Sequence, residues 1–409
     1  MSAAGLQREG AAHMAALDYA EAERCFRAAL GIEPGNLLTL NNLAVALHEQ
    51  GRLAEARKML EDVIAGMPDY AAARFNLGRV HMELDELGSA LACFEEVLRR
   101  DPADADTFVM IGAALERRGE FGEAEEYFAE AAQFSQVYAV TEMLRFSAEF
   151  LRVIAAVGKP IPLPEPVLRA ESPHAAESVV LVTCDPHYLR KYGLAFARSY
   201  AQTAGRADLL HLHVLDPDEH ILAEAQILLR RAGILHCCVT TERDARFGAG
   251  SAEKRTWFTC ARFRHLEAWL EAYGVPIVML DIDAALQAPV ATLIAAAGSA
   301  DMGLFLRRPR RAPWLDLLAG TFVARPTPAA REYLRLVRNY IDYFLEQDTP
   351  RWHLDQCALY CTLRMLEAHG SAPAVVSITD AVQANVYHVG NNHDARMADP
   401  RYARFTAEH

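Results

Sequence analysis

The chain has 409 residues, 52% of them hydrophobic, and a formal net charge of −13 at pH 7. This length allows two or three domains with cores of their own, and the acidic balance disfavours nucleic acid, whose phosphates repel it. No apolar stretch approaches ~18 residues, and the N-terminus lacks a basic segment followed by an apolar one, so neither a membrane span nor a secretory signal is predicted.

Four consecutive segments of equal length, 3–36, 37–70, 71–104 and 105–138, share one residue pattern without insertions. Small residues at positions eight and twenty let two helices approach, and a large residue at twenty-four fills the gap between pairs. A proline at position thirty-two ends the second helix in the first three segments. The pattern resembles the tetratricopeptide repeat, a pair of antiparallel helices per 34 residues. The three helical positions are Gly10, Ala44, Gly78 and Gly112; Ala22, Ala56, Ala90 and Ala124; and Phe26, Leu60, Phe94 and Phe128.

The repeat pattern predicts a helical solenoid over residues 1–156 that binds a protein or peptide on its concave face. One amphipathic helix is expected over 136–156, where it would cover the open end of the array. Residues 1–138 carry a net charge of −12, with 24 acidic and 12 basic side chains. This favours a basic or neutral polypeptide partner; the alternative is that the charges only solvate the outer helix faces.

A proline-rich segment, 157–177, interrupts the helical periodicity and predicts a semi-rigid spacer between the repeats and a second domain over 178–409. The eight cysteines are scattered and form no C-x-x-C pair, which is typical of a reducing compartment. A cytoplasmic location is therefore expected, and the composition, rich in Ala and Arg but poor in Lys, is typical of bacteria.

Apolar runs alternate with helical segments from residue 178 onward. Strands are predicted over 178–183, 209–215, 235–240 and 275–280, and helices over 189–203, 219–232 and 256–273. This order predicts a mostly parallel sheet covered on both faces, with ligands at the carboxyl ends of its strands. No glycine-rich phosphate loop follows the first strand, which disfavours a dehydrogenase or a P-loop enzyme.

Asp281 and Asp283 directly follow the last of these strands. Two carboxylates at this spacing, where the chain leaves the sheet, can bind one hard cation that bridges to a diphosphate. The alternative is an ordinary strand ending with an Asp that bonds its own backbone.

Several short motifs flank this pair in a characteristic order: VTCDPHY, ARFRHLEAWL, VMLDID, DMGLFLRR with LAGTFVARPTPAAREYL, WHLDQCALY and YHVGNNH. With them, residues 178–393 resemble metal-dependent glycosyltransferases of the GT-A fold, close to family-8-like nucleotide-diphospho-sugar transferases. The resemblance implies a Rossmann-like mixed sheet, hexosyltransferase-like activity, a UDP-sugar donor, and Mn²⁺ or Mg²⁺ as cofactor.

The resemblance also implies roles for single residues. Asp185 and Tyr188 would hold the nucleotide base, and Arg262 would contact the donor phosphate or sugar. Asp355 and Gln356 would lie beside the sugar.

His388, in an H-x-G motif with Gly390, would be the third metal ligand beside Asp281 and Asp283. The family has a lysine where this chain has His393, so the pyrophosphate contact would need a protonated imidazole. Lys254 would add positive charge near the diphosphate.

Each of these residues also has a structural alternative. Asp185 can serve as a turn residue before Pro186, Tyr188 as a packing residue, and His388 as a loop residue. Arg262 can form a surface ion pair, and Asp355 can cap a helix.

The sequence thus predicts transfer of a sugar to a protein, peptide or glycan acceptor. Asp355 would be the base if configuration is inverted, whereas the leaving phosphate would take the proton if it is retained. The alternatives are a polysaccharide- or lipopolysaccharide-building transferase whose repeats recruit partner enzymes, and an inactive scaffold. The arginine cluster 307–311 can clamp a diphosphate or an anionic acceptor, or form a solvated loop.

Overall fold

The computed structural model describes residues 2–157, 161–169, 175–205, 207–244, 251–306, 313–347, 352–389 and 397–406, with the backbone alone at 251–253 and 313. The chain divides into two compact units, Met1–Leu144 and Arg145–His409. Among the described residues, no helix combines the length and the apolar character needed to cross a membrane.

The first unit consists of four helix pairs, one in each predicted repeat. Each pair turns through a residue in the left-handed region at repeat position fifteen: Leu17, Gly51, Asp85 and Gly119, with φ of 61°, 78°, 62° and 81°. Glycine adopts this conformation without steric cost, whereas Leu17 and Asp85 adopt it against their side-chain preference. The helices are α1 (Ala3–Ala15), α2 (Tyr19–Ile32), α3 (Leu37–Glu49), α4 (Leu53–Gly66), α5 (Ala71–Glu83), α6 (Leu87–Leu98), α7 (Ala105–Arg118) and α8 (Phe121–Phe134).

The two helices of a pair fit together through complementary volumes at positions eight and twenty-four. A Cβ added at Gly78 would lie 2.5 Å from Cε1 of Phe94, and the same overlap occurs in the first and fourth repeats. In the second repeat, where position eight is Ala44, the opposite residue is the smaller Leu60. Both members of these pairs are buried. The combined side-chain volume at positions eight and twenty-four is therefore kept from repeat to repeat, although the residue types differ.

The single helix predicted over 136–156 is wrong, because the structure forms two elements there. A 3₁₀ helix spans Gln136–Met143, and α9 (Ala148–Ala156) begins after extended backbone at Leu144. The hydroxyl of Ser147 accepts a hydrogen bond from the amide of Phe150, which fixes a new helix start at that point.

Helix α9 belongs to the second unit rather than to the repeat array. Its Phe150 ring contacts the rings of Tyr340, Tyr343 and Phe344, with centroids 5.0 to 6.0 Å apart. The Asn339 amide donates to the carbonyl of Ile154 at 2.8 Å. Of the segment predicted as a cap, Gln136–Met143 packs against the last repeat, where Thr141 donates to the carbonyl of Phe128, and α9 packs within the second unit.

An eight-stranded mixed sheet forms the centre of the second unit, in the order β1-β4-β3-β2-β5-β8-β7-β9. Strands β2 to β5 are mutually parallel, as predicted, and β1 and β8 run antiparallel to their neighbours β4 and β5. A two-stranded sheet joins β6 and β10. The strands are β1 (Pro166–Arg169), β2 (Ser178–Cys184), β3 (Asp208–Leu215), β4 (Cys237–Glu242), β5 (Ile277–Leu280), β6 (Ala284–Leu286), β7 (Met302–Leu306), β8 (Leu317–Ala324), β9 (Val375–Ser377) and β10 (Val386–His388).

The predicted spacer 157–177 contributes edge strand β1 to this sheet. Proline is tolerated at a sheet edge because one side of the strand needs no ladder donor, and β1 begins at Pro166. Strand β1 is extended, as the composition predicts, but it is hydrogen-bonded to β4 and is part of the sheet rather than a spacer.

The long helix predicted over 256–273 is also wrong, since the chain breaks at residues 262–265. Helix α12 ends in tight turns in which the amides of Phe263 and Arg264 donate to carbonyls three residues earlier. The break separates three polar side chains: Arg262 reaches Asp281, while Arg264 and His265 reach Glu242. The helices of this unit after α9 are α10 (Pro186–Thr203), α11 (Ile221–Arg231), α12 (Ser251–Ala261), α13 (Leu266–Tyr273), α14 (Ala291–Ala297), α15 (Pro328–Glu346), α16 (Leu354–Ala368), α17 (Thr379–Asn385) and α18 (Pro400–Ala403).

The sheet order places a topological switch point between β2 and β5. Strands β3 and β4 follow β2 on one side, and the chain returns to add β5 on the other. All four residues of β5 are buried, so both faces of the sheet are covered there. Ligands of open α/β sheets bind outside the carboxyl ends of strands at such a point.

We expect Gly78→Ala to destabilise the repeat array by about 1–3 kcal/mol, because the added methyl group overlaps Phe94. The double variant Gly78→Ala/Phe94→Leu, which copies the Ala44–Leu60 pair, should recover most of the loss. Hydrogen exchange of the amides in α5 and α6 would measure both changes. Gly88→Ala is the control, since no atom lies near its Cβ position and alanine favours a helix by about 1 kcal/mol. Equal effects at positions 78 and 88 would contradict the volume argument.

Candidate functional site

Two adjoining cavities open at the carboxyl ends of β2 and β5. The larger, of about 750 Å³, and the smaller, of about 220 Å³, share one wall. That wall is formed by Thr259, Arg262, Asp281, Asp283 and Trp352. The residues between the cavities therefore include both carboxylates that the sequence singled out.

Asp281, Asp283 and His388 form the centre of this site. Each offers a ligand atom, and these atoms lie within 4.8 Å of one another. Strand β10 pairs antiparallel with β6, which sets His388 opposite Ala284, directly after Asp283. The amide of Val389 donates to the carbonyl of Asp283 at 3.2 Å and closes the ladder. Two carboxylates and one imidazole are a donor set that suits Mn²⁺, or Mg²⁺, so the residues fit the predicted metal.

Arg262 lies against the same carboxylates. Its Nη1 donates to Oδ1 of Asp281 at 2.6 Å, and its Nε donates to the carbonyl of Thr259 at 2.8 Å. Burial lowers the pKa of this guanidinium, but the charges of Asp281 and Asp355 outweigh burial and raise it. Arg262 is thus a partly buried positive charge, held in the cleft by its ion pair with Asp281.

Asp355 lies in the first turn of α16 and lines the larger cavity with Gln356. It does not cap the helix, because the N-cap residue is His353, whose φ is 75°. Asp355 is only 6% exposed, and burial raises its pKa even though Arg262 opposes that shift. Asp355 therefore lies at the wall of the cleft as a carboxyl group that binds a proton more readily than an exposed aspartate does.

Asp185 and Tyr188 line the smaller cavity, at the end of β2. The Asp185 carboxylate caps α10, accepting a hydrogen bond from the amide of Tyr188 at 2.7 Å. Asp185 is therefore a helix cap instead of the turn residue given as its structural alternative, and it also lines the cavity. Tyr188 is 42% exposed, so its ring presents free surface there instead of packing completely.

Other predicted site residues are not brought into the two cavities. Lys254 Nζ lies 3.4 Å from Oδ2 of Asp216, and neither cavity wall includes it. His393, Gly390 and the arginine cluster 307–311 lie outside the described residues.

Gly320, Thr321 and Trp352 line the site without having been predicted. A Cβ at Gly320 would overlap Oδ2 of Asp281, because the two residues lie across neighbouring strands β8 and β5. Thr321 Oγ1 lies 3.2 Å from Nε2 of His388. Trp352 is 50% exposed and lies in both cavity walls. A glycine inside an otherwise apolar strand signals close backbone approach, and that signal was present in the sequence.

Comparison with known proteins identifies the repeats. The family model described as Tetratricopeptide repeat matches residues 13–65 and 47–107. The N-terminal part of the chain thus contains tetratricopeptide repeats, and they are followed by a mixed α/β domain, which confirms the predicted fold class. No curated protein matches the chain.

Solved structures similar to the chain include MamA from Desulfovibrio magneticus RS-1, at 20% identity, covering 33% of this chain and 76% of that one, with a TM-score of 0.31. A tetratricopeptide repeat protein from Parabacteroides merdae matches at 21% identity, over 34% of this chain and 57% of that one, with a TM-score of 0.31. The Sgt2 TPR domain from Aspergillus fumigatus matches at 25% identity, over 30% of this chain and 81% of that one, with a TM-score of 0.27.

We expect Gly320→Ala to displace the Asp281 carboxylate and to weaken its ion pair with Arg262, because the methyl group occupies the space of Oδ2. Mn²⁺ affinity, measured by electron paramagnetic resonance, should fall about tenfold, equivalent to about 1.4 kcal/mol. Ala319→Gly changes the neighbouring cavity residue without filling that space, and it should retain wild-type affinity. Equal Mn²⁺ binding by Gly320→Ala and the wild type would show that the contact is unimportant.

We expect Asp355→Asn to unfold at a higher temperature than the wild type at pH 7. A folded-state pKa raised above the ordinary value of 3.8 means that folding favours the protonated carboxyl group. The burial cost is absent below pH 3.8 and grows as pH rises through the raised pKa, whereas asparagine is neutral throughout. Thermal unfolding of both proteins across this pH range should show curves that converge in acid. A lower unfolding temperature for the variant at pH 7 would contradict the argument.

Proposed function

We propose that the second unit is a metal-dependent glycosyltransferase that uses a nucleoside diphosphate sugar, with UDP as the nucleotide. The convergence of Asp281, Asp283 and His388 at the switch point, beside the partly buried Arg262, supports this function most strongly. The sheet order and the cleft at the strand ends are compatible with a nucleotide-sugar site.

The two cavities suit the two ends of such a donor. The smaller cavity, with the exposed face of Tyr188, would take the nucleoside, because a flat base can stack on a ring. The shared wall of carboxylates and Arg262 would face the diphosphate. The larger cavity, with Asp355 and Gln356, would take the sugar and the reacting group of the acceptor.

Asp281, Asp283 and His388 would hold the divalent cation, which supplies positive charge to the departing diphosphate. Arg262 would add a second, fixed positive charge on the same side, and its ion pair with Asp281 would keep both groups oriented without substrate. Thr321 would orient the imidazole of His388 through its hydroxyl group.

Asp355 is the carboxyl group best placed to handle the acceptor proton. If configuration is inverted, it would accept the proton from the attacking hydroxyl, and its raised pKa makes it a better base than an exposed aspartate. If configuration is retained, the leaving phosphate would take that proton, and Asp355 with Gln356 would orient the sugar.

The repeats suggest a protein acceptor or partner that binds to the first unit. Tetratricopeptide arrays present an extended concave surface of the kind that binds polypeptide. The net charge of −12 over residues 1–138 would favour a basic or neutral segment over an acidic one.

We expect UDP to bind in a Mn²⁺-dependent manner, because the cation would link the nucleotide diphosphate to Asp281 and Asp283. Calorimetric titration with and without Mn²⁺ should show at least about a tenfold loss of affinity in Asp281→Asn/Asp283→Asn, equivalent to about 1.4 kcal/mol. Asp218→Asn, at an exposed carboxylate paired with Arg190, is the matched control and should bind like the wild type. Failure of the wild type to bind any nucleoside diphosphate would instead support an inactive scaffold.

We expect removal of residues 2–144 to abolish transfer to protein while leaving metal-dependent UDP-sugar hydrolysis intact. The deletion keeps α9 and its contacts with Tyr340 and Asn339, so the second unit loses none of its core. Transfer of labelled sugar to the proteins of a lysate, and release of UDP without acceptor, would be measured in parallel. Unchanged labelling of protein would rule out docking on the repeats, and equal transfer to a small glycan by both proteins would favour glycan synthesis.

A further inference from the structure

A second polar cluster lies where β3, β4 and the start of α13 meet. It consists of His213, Glu242 and His265, and one ligand atom from each lies within 4.8 Å of the other two. The two histidines are 0% and 3% exposed, and the Glu242 side chain is 13% exposed. The proposed sugar-transfer mechanism uses none of these groups.

The distances from Glu242 to the two histidines match those of a tetrahedral metal site. Oε2 of Glu242 lies 3.4 Å from Nε2 of His213 and 3.1 Å from Nε2 of His265. Ligands bound to zinc at about 2.0–2.1 Å in tetrahedral geometry lie about 3.3 Å from one another, so both distances fit without movement of the backbone.

The surroundings of His213 favour a metal ligand over a simple hydrogen bond. Its Nδ1 lies 2.8 Å from Oγ1 of Thr240, a contact of the kind that orients metal-bound imidazoles through the nitrogen that does not bind. Its Nε2 is buried and faces Oε2 of Glu242 at 3.4 Å, without the geometry of a hydrogen bond. The ring also packs against Trp269, with centroids 5.0 Å apart, so the imidazole cannot turn toward solvent.

Arg264 engages only one oxygen of the Glu242 carboxylate in this cluster. Arg264 is the guanidinium in contact with it, and Nη1 lies 2.6 Å from Oδ2 of Asp244 and 3.1 Å from Oε1 of Glu242. Oε1 of Glu242 thus faces the guanidinium, whereas its Oε2 points to the histidines. Buried charges of this kind are normally paired or bind a metal.

We propose that His213, Glu242 and His265 form a zinc site, separate from the Asp281 site, that ties α13 to the carboxyl ends of β3 and β4. Imidazole and carboxylate groups suit Zn²⁺, and three protein ligands leave a fourth position for water. Strand β2 separates β3 from β5, so the two sites lie on strands about 10 Å apart and share no residue. The alternative is a metal-free ion network of Glu242, Arg264 and the two imidazoles.

Zinc and cobalt binding to the full chain would test this proposal. After removal of bound metal with a chelator, Zn²⁺ would be titrated into Asp281→Asn/Asp283→Asn, which lacks the other candidate site. The same protein with Glu242→Gln added should bind Zn²⁺ at least about tenfold more weakly. Co²⁺ should give intense visible absorption bands typical of tetrahedral coordination only while Glu242 is present.

His213→Gln in the same background should have the same effect as Glu242→Gln, and His211→Gln is its matched control. His211 lies on the same strand, is equally buried and packs against the same Trp269, but it is not part of the cluster. Both imidazoles contact the Thr240 hydroxyl, and glutamine at position 211 keeps an amide that can bond to it. If His213→Gln does not fold, as judged by circular dichroism, the nearly isosteric Glu242→Gln still decides the question. Equal Zn²⁺ affinity and equal Co²⁺ spectra with and without Glu242 would overturn the proposal and leave the ion network.

Discussion

The pairing of β10 with β6 is the constraint on which the candidate site depends. It joins residues about a hundred positions apart in the chain. It places His388 opposite Ala284, the residue that follows Asp283. In the main sheet, β8 runs antiparallel to β5 and brings Gly320 against Asp281. The space for the Asp281 carboxylate exists only because residue 320 has no side chain. The donor set is thus built by strand register, and each of its members is held by backbone pairing or by a hydrogen bond.

Electrostatics in the second unit follow from the break between α12 and α13. Arg262 turns toward the cleft and pairs with Asp281, whereas Arg264 and His265 turn toward Glu242. A continuous helix would have placed Arg262 and His265, three residues apart, on one face. The break therefore supplies a fixed positive charge to one polar cluster and two members to another. Both clusters lie at carboxyl ends of strands, where side chains from several elements converge.

The stability of the first unit depends on how side-chain volumes fit between its helices, and less on charge. Glycine against phenylalanine in three repeats, and alanine against leucine in the other, fill the same space between two helices. Stacked pairs of this kind bury an apolar face that no single pair can bury alone. Because the stabilising contacts are internal, the outer surface is free to carry the acidic side chains that we associate with partner choice.

The sequence alone determined the repeats, the parallel strands and the Asp281-x-Asp283 motif, because these depend on periodicity and spacing over short stretches of chain. It also indicated His388 and Arg262, although only through resemblance. Tertiary structure decided which side chains meet. Lys254 pairs with Asp216 outside the cavities, and Asp185 caps a helix. Asp355 is buried at the wall of the cleft. It also moved α9 into the second unit and divided the helix predicted over 256–273. These outcomes depend on contacts between residues far apart in the chain, and strand register and packing fix such contacts where local periodicity cannot.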